Sequence, residues 1–200
     1  MKKRYLKCFG LILILAIMAI TSGCSAYGGQ ASAKAGGNDA QSNDLTDNVI
    51  FALYNQIDIN DKKADIEKDL GATGNTSAEG SYVYLDPDTG YAVNVFFNTN
   101  DLVALKVLIP TTGARELIEL SNASVSKEQA AKIAPGMTLS NVKKALVGQG
   151  IEMLRMVTPG GADKEAYALA WINTDGSVLV VTFDAATNTV LAAEFKESLF

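Results

Sequence analysis

In the second half of the chain the apolar positions recur first with a helical period and then with a period of two. Ser126-Lys127-Glu128-Gln129 has the residue types of a capping box, with Ser126 at the N-cap and Gln129 reaching back. Ala130 and Ile133 give that short helix an apolar side. Pro135-Gly136 then turns the chain. Thr138 can cap a second helix, on which Leu139, Val142 and Leu146 fall on one face. Gly148 and Gly150 supply stop signals. Beyond them the runs Ile151–Val157, Ala166–Ile172, Ser177–Phe183 and Thr189–Phe195 predict four strands. Asp175-Gly176 marks a tight hairpin between the second and third.

The first half repeats this order less cleanly. One helix is expected near Asp47–Gln56 and another near Lys62–Leu70, ended by Gly71. Ser81–Leu85, Tyr91–Phe97 and Leu102–Ile109 read as strands, with Asp86-Pro87-Asp88-Thr89-Gly90 as the turn between the first two. Gly71 to Gly80 contains no large apolar residue, so the strand expected there is missing, degenerate or shifted. Val49, Ile57, Ile66 and Leu70 stand 76 residues before Val125, Ile133, Val142 and Leu146. Gly90, Val93, Val95 and Phe97 similarly match Gly176, Leu179, Val181 and Phe183. Two helices and a meander, given twice, make an α+β plan of two tandem modules. Each would pack two short helices on one face of a three- to four-stranded antiparallel sheet. The modules span 46–110 and 123–200, joined by a linker 111–122 in which Arg115–Leu120 can form a short helix.

Strand alternation assigns the faces. Tyr91, Val93, Val95 and Phe97, with Leu179, Val181 and Phe183, are expected to meet the helices, together with Val83, Leu85 and Trp171. Ala92, Asn94, Phe96 and Asn98 then point the other way, as do Val178, Val180 and Thr182. Tyr82 and Tyr84 are placed on that open face too. Aromatic side chains on an exposed sheet suit a protein partner. The candidate partner-binding set is therefore Tyr82, Tyr84, Asn94, Phe96, Val180 and Thr182, with the three rings as anchors.

The N-terminus reads as an address. Lys2, Lys3, Arg4 and Lys7 precede an apolar run from Phe9 to Ile20, broken by Gly10, and then Thr21-Ser22-Gly23-Cys24. This is the order of a secretory signal. The run has about 12 residues, short of the roughly 20 that span a bilayer. Small residues directly before Cys24 resemble the bacterial lipobox, although Thr21 replaces the usual leucine. That resemblance implies a signal peptide at 1–23 and a diacylglyceryl group on the Cys24 thiol. Cys8 would be discarded with the signal, leaving no free thiol. Residues 24–45 are mostly Gly, Ala, Ser, Asn and Gln with one aromatic, Tyr27, have little to bury, and read as a flexible tether.

Composition narrows the chemistry. The 200 residues hold 17 basic and 22 acidic side chains, two cysteines and no histidine. Ser-His and Cys-His nucleophile pairs and histidine-bearing zinc sites are excluded. No basic footprint for nucleic acid is present. Cleavage before Cys24 would remove four positive charges and no negative ones, leaving an acidic surface that anionic headgroups repel. Ser124-Val125-Ser126-Lys127 and Ser140-Asn141-Val142-Lys143 match Ser-x-x-Lys, but without the companion Ser-Asp-Asn or Lys-Thr-Gly. Both are better read as helix starts. The Asp86–Gly90 turn has calcium-loop residue types, yet Phe97 stands where the bidentate Glu belongs. Glu116/Glu119 and Asp65/Asp69 are solvated helix faces. Neither an enzymatic activity nor a cofactor is expected.

The run Ile133 to Leu146, Ile-x-x-Gly-Met-Thr-x-x-x-Val-x-x-x-Leu, resembles the hallmark of β-lactamase-inhibitor-protein-like modules, which small outer-membrane-assembly lipoproteins share. Trp171, Asp175-Gly176 and Val181-Thr182-Phe183 fit that family's strand pattern. The likeness covers about 46–197, with Asn60-Asp61 replacing Gly-Met in the first half and no counterpart to the inhibitors' disulfides. It implies one saddle-shaped sheet whose concave, aromatic face binds protein. The expected function is an exported, lipid-anchored, non-enzymatic protein-binding lipoprotein. Its partners would be the lipid bilayer through acylated Cys24 and an envelope or extracellular protein. The alternatives are a subunit of an envelope-assembly membrane complex and an inhibitor of a secreted or periplasmic hydrolase such as a β-lactamase.

Overall fold

A computed structural model describes residues 48–111, 113–158 and 164–198. The signal peptide at 1–23, Cys24 and the tether lie outside the described residues. Eight strands form one antiparallel sheet in sequence order: β1 (Asn75–Thr76), β2 (Tyr82–Asp86), β3 (Tyr91–Phe97), β4 (Val103–Pro110), β5 (Ile151–Val157), β6 (Glu165–Ile172), β7 (Val178–Asp184) and β8 (Thr189–Lys196). A 3-10 turn (Val49–Phe51) leads into α1 (Ala52–Asn55). The remaining helices are α2 (Lys63–Leu70), α3 (Arg115–Ser121), α4 (Lys127–Ala130) and α5 (Leu139–Ala145). The class is α+β, with few and short helices on one large sheet.

Local chemistry sets the boundaries. The Ser126 hydroxyl accepts from the Gln129 N–H at 3.2 Å, and the Gln129 side chain accepts from the Ser126 N–H at 2.9 Å, so α4 starts with a full capping box. Thr138 caps α5 through the Asn141 N–H. Gly71 ends α2 in the left-handed conformation, at φ 62°. The strand expected between Gly71 and Gly80 exists as β1, only two residues long. A stretch of Gly, Ser, Thr and Asn has no side chains to hold a longer one against the helices.

Residues directly paired across strands share a face. One face carries Tyr84, Val93, Leu108, Lys106, Arg155, Tyr167, Leu169, Trp171, Leu179 and Val181. Ile50, Phe51, Leu53, Tyr54, Ile57 and Ile66 pack on its first half. Ala130, Ile133, Val142 and Leu146 pack on its second, where Trp171 is fully buried. Two rows cross the opposite face. One runs Val83, Asn94, Val107, Leu154, Ala168, Thr182, Ala192, and the other Phe96, Leu105, Met156, Ala166, Asp184. Helix α3 packs on β5 and β6. Its fully buried Leu117 clusters with Ala168, Ala170 and Ile172, residues of this second face. The small alanines let the helix approach closely.

The register of β2 corrects the sequence reading. The loop 87–90 sets Asp86 opposite Tyr91, so Tyr84 pairs with Val93 and Tyr82 with Val95. Both tyrosines therefore lie on the helix-covered face, not the open one. Val83 and Leu85 take the other side, and Leu85 is 43% exposed rather than in the core.

The two halves share a set of main-chain hydrogen bonds. Asn60 N–H donates to Val103 O, Val103 N–H to Asp61 O and Lys63 N–H to Asp101 O. Gly136 N–H donates to Val190 O, Val190 N–H to Met137 O and Leu139 N–H to Asn188 O. The left-handed residues also correspond, Asn60 (φ 70°) with Gly136 (φ 88°) and Asp101 (φ 58°) with Asn188 (φ 52°). The register shifts beside Phe96/Phe97 on β3 and beside Thr182/Phe183 on β7, which skip Ala104 and Leu191. The halves join where Leu105, Lys106 and Val107 of β4 pair with Met156, Arg155 and Leu154 of β5.

Candidate functional site

The sheet face away from α4 and α5 is shaped by its alternating residues. At one end α3 fills it. Ser121 anchors that helix: its hydroxyl donates to Gln149 O and accepts from Ile172 N–H, each at 2.8 Å. The end beyond α3 holds Phe96, Leu105 and Met156, side by side on β3, β4 and β5 and each half-buried. Val83 on β2 lies in the neighbouring row, diagonal to Phe96, with the exposed Leu85 one row further away. Apolar side chains left partly in water in one contiguous strip suit an apolar partner surface. The strip crosses the join of the halves, so it depends on β4–β5 pairing.

The candidate residues are distributed as follows. Phe96 and Thr182 lie half-buried on this face, in adjacent rows. Asn94 and Val180 lie on it but are buried, at 2% and 8% exposure. Among the described residues, the Asn94 carboxamide oxygen has no hydrogen-bond partner. Tyr82 and Tyr84 are on the opposite face. Tyr82 packs edge-on against Phe97, with the Lys63 ammonium 3.6 Å above its ring. Tyr84 is 3% exposed, and burial pushes its hydroxyl up to about 12. Gly74 lies so close that a Cβ there would meet the Tyr84 ring at 2.8 Å. The structure thus brings Phe96, Asn94, Val180 and Thr182 to one face and separates both tyrosines from them. Leu105 and Met156 were missed by sequence reading, because their adjacency to Phe96 requires the strand order.

A polar cluster occupies the other face at the same join. Lys106 is 3% exposed, and its ammonium donates to Tyr54 O at 2.9 Å and to Ile57 O. It thereby caps carbonyls at the end of α1. Desolvation lowers its pKa to about 8, against the counteracting charges of Glu152, Asp58 and Asp61. The Tyr54 hydroxyl donates to Glu152 at 3.1 Å, and Arg155 holds both Glu152 oxygens at 2.9 Å. Arg155 also faces Glu165 at 3.6 Å. Every strong donor here already has an acceptor, so the cluster fastens α1 and the two halves together.

The enzyme-like patterns resolve into local structure. Ser126 is a helix cap, and Lys127 lies 3.7 Å from Glu197. Asp86 accepts from the Asp88 N–H and closes its turn, with Gly90 at φ 71°. Among the described residues, no group of three or more His, Cys, Asp or Glu side chains could hold a metal ion. No described helix is long and apolar enough to cross a membrane. Compared with protein-family models and with curated proteins, this chain matches none.

Proposed function

We propose that this chain is an exported lipoprotein, anchored through acylated Cys24, that binds a protein on the open part of its sheet without catalysing a reaction. The binding surface is the half-buried strip Phe96, Leu105 and Met156, with Val83 diagonal to Phe96 in the neighbouring row. The observation that carries this reading is the strip itself: three large apolar side chains in one cross-strand row, each only half-buried. The scaffold is read as two tandem modules of the β-lactamase-inhibitor-protein-like kind, 46–110 and 123–200. The matched main-chain bonds to Val103 and Val190, and the matched bulges, support a duplicated unit. Asn60 taking the same left-handed conformation as Gly136 explains how the first half dispenses with Gly-Met. A shared scaffold does not fix an activity, so hydrolase inhibition is not transferred with it.

The test uses the full chain in its native cell. A photocrosslinking residue at position 105 should trap a defined protein. Phe96→Ala with Met156→Ala should abolish that product while the purified variant keeps a cooperative unfolding transition. Retention of the product in the folded double variant would overturn the reading. Cys24→Ser should move the protein from the membrane to the soluble fraction.

A further inference from the structure

The structure contains its own example of what its last strand is built to accept. β4 and β8 are counterparts: Val103 and Val190 bind equivalent loops through the same pair of main-chain bonds. Ala104 and Leu191 are the skipped residues of matching bulges. Counting on from there, Leu105, Lys106 and Val107 correspond to Ala192, Ala193 and Glu194. The faces agree, because Leu105 and Ala192 both turn away from α4 and α5, as do Val107 and Glu194. On β4 these three residues receive an antiparallel strand, β5, opposite Met156, Arg155 and Leu154. On β8 the same edge is open: among the described residues no strand lies beyond it. Among the described residues, main-chain bonds from the neighbouring loop cover its first end, at Asn188 and Val190.

We propose that the outer edge of β8 at Ala192–Glu194 receives an extended strand of a partner protein, paired antiparallel as β5 pairs with β4. The main chain supplies attachment, and the side chains supply selection. Ala192 and Ala193 stand where β4 has Leu105 and Lys106, so the incoming strand has room for a bulky apolar residue opposite Ala192. Glu194 is exposed, and an opposite charge directly across a strand pair is favoured. The incoming residue opposite Glu194 is therefore basic. Glu194 and Lys196 also guard the edge against indiscriminate pairing. A second copy of this chain is the poorer occupant. Its own β8, paired over Ala192–Glu194 about a two-fold at Ala193, would set Ala192 rather than a basic residue opposite Glu194, and its other edge strand, β1, has two residues where β5 has seven. This edge is distinct from the strip around Phe96, and the two sites stand or fall separately.

The probe is a synthetic peptide, Thr-Val-Lys-Thr-Leu-Val-Thr, which can set Lys opposite Glu194 and Leu opposite Ala192. It is titrated into the isotope-labelled protein and followed by amide resonances and hydrogen exchange. Saturable shifts and new protection confined to Ala192–Lys196 are expected. Replacing the peptide Lys by Glu should weaken binding about threefold, and Glu194→Lys should reverse that preference. N-methylation of alternate peptide amides should abolish it. Unmoved β8 resonances, or equal binding of the N-methylated peptide, would overturn the proposal. Shifts confined to Phe96, Leu105 and Met156 would overturn it while favouring the docking strip. Concentration-dependent protection of β8 without peptide would assign the edge to a second copy instead.

Discussion

Lys106 and Arg155 stand directly opposite each other on β4 and β5, two cations in register at the join of the halves. Like charges so placed repel. Glu152 makes the arrangement stable: it accepts both Arg155 bonds and the Tyr54 hydroxyl, and its charge also acts on Lys106. Glu152→Ala should therefore destabilise the chain by about 3 kcal/mol, the cost of leaving buried charge uncompensated. Tyr54→Phe removes one hydrogen bond and should cost about 1 kcal/mol. Urea denaturation of the two variants measures the difference. Equal effects would mean that Glu152 acts only through Tyr54.

Lys106 also predicts a pH dependence. Its folded pKa, about 8, lies below the ordinary lysine value of 10.5. Between those values the unfolded chain binds more protons, so raising the pH favours the folded state. The gain is complete above the unfolded value and is lost as pH falls through about 8. Tyr54, Tyr84, Tyr91 and Tyr167 act oppositely, because burial raises each above 10.0. Their contribution is present below pH 10 and lost as pH rises beyond it. Stability should climb from pH 8 to about pH 10 and then fall, and Lys106→Met should remove the climb alone. Denaturation midpoints at unit pH steps test this; an unchanged climb in the variant would assign it to another group.

The second half was largely legible in the sequence, because its signals are local. The capping box at Ser126, the Thr138 cap and the limits of β5 follow from residue types at fixed spacing. The β2 register was not. Tyr82-Val83-Tyr84-Leu85 has apolar side chains on both faces, so alternation alone cannot say which pair is inward. The turn settles it by setting Asp86 against Tyr91. Lys106 was also hidden: in an apolar run it looks like an outward residue until α1 supplies carbonyls for it. The Phe96, Leu105 and Met156 strip was half visible, since only Phe96 could be placed without the β4–β5 pairing.

Ser121 is a small residue with a large predicted effect. It is fully buried and links α3 to Gln149 O and Ile172 N–H. Alanine would leave a carbonyl and an amide without that partner, costing about 2 kcal/mol. The loss should be local as well as global: the Ile172 amide should exchange faster than its β6 neighbours. Uniform acceleration along β6 would show that α3 is not held chiefly at this point.

The matched loops give a last prediction, a ranking of substitutions at two equivalent left-handed positions. Gly136 adopts φ 88° with nothing within 4 Å of where a Cβ would stand. Gly136→Ala therefore meets no clash, and its cost is the backbone strain of a left-handed alanine, about 1 kcal/mol. Gly136→Asn should cost less, since asparagine tolerates this region. At Asn60, φ 70°, the native residue already bears that strain. Asn60→Gly relieves it while widening the unfolded ensemble, so the net change should stay within about 0.5 kcal/mol. Asn60→Val, branched at Cβ, should cost more than Gly136→Ala. Chemical denaturation of the four variants gives the ranking. If Asn60→Val is harmless, the first loop does not need its left-handed residue, and its correspondence with the second carries no energetic weight.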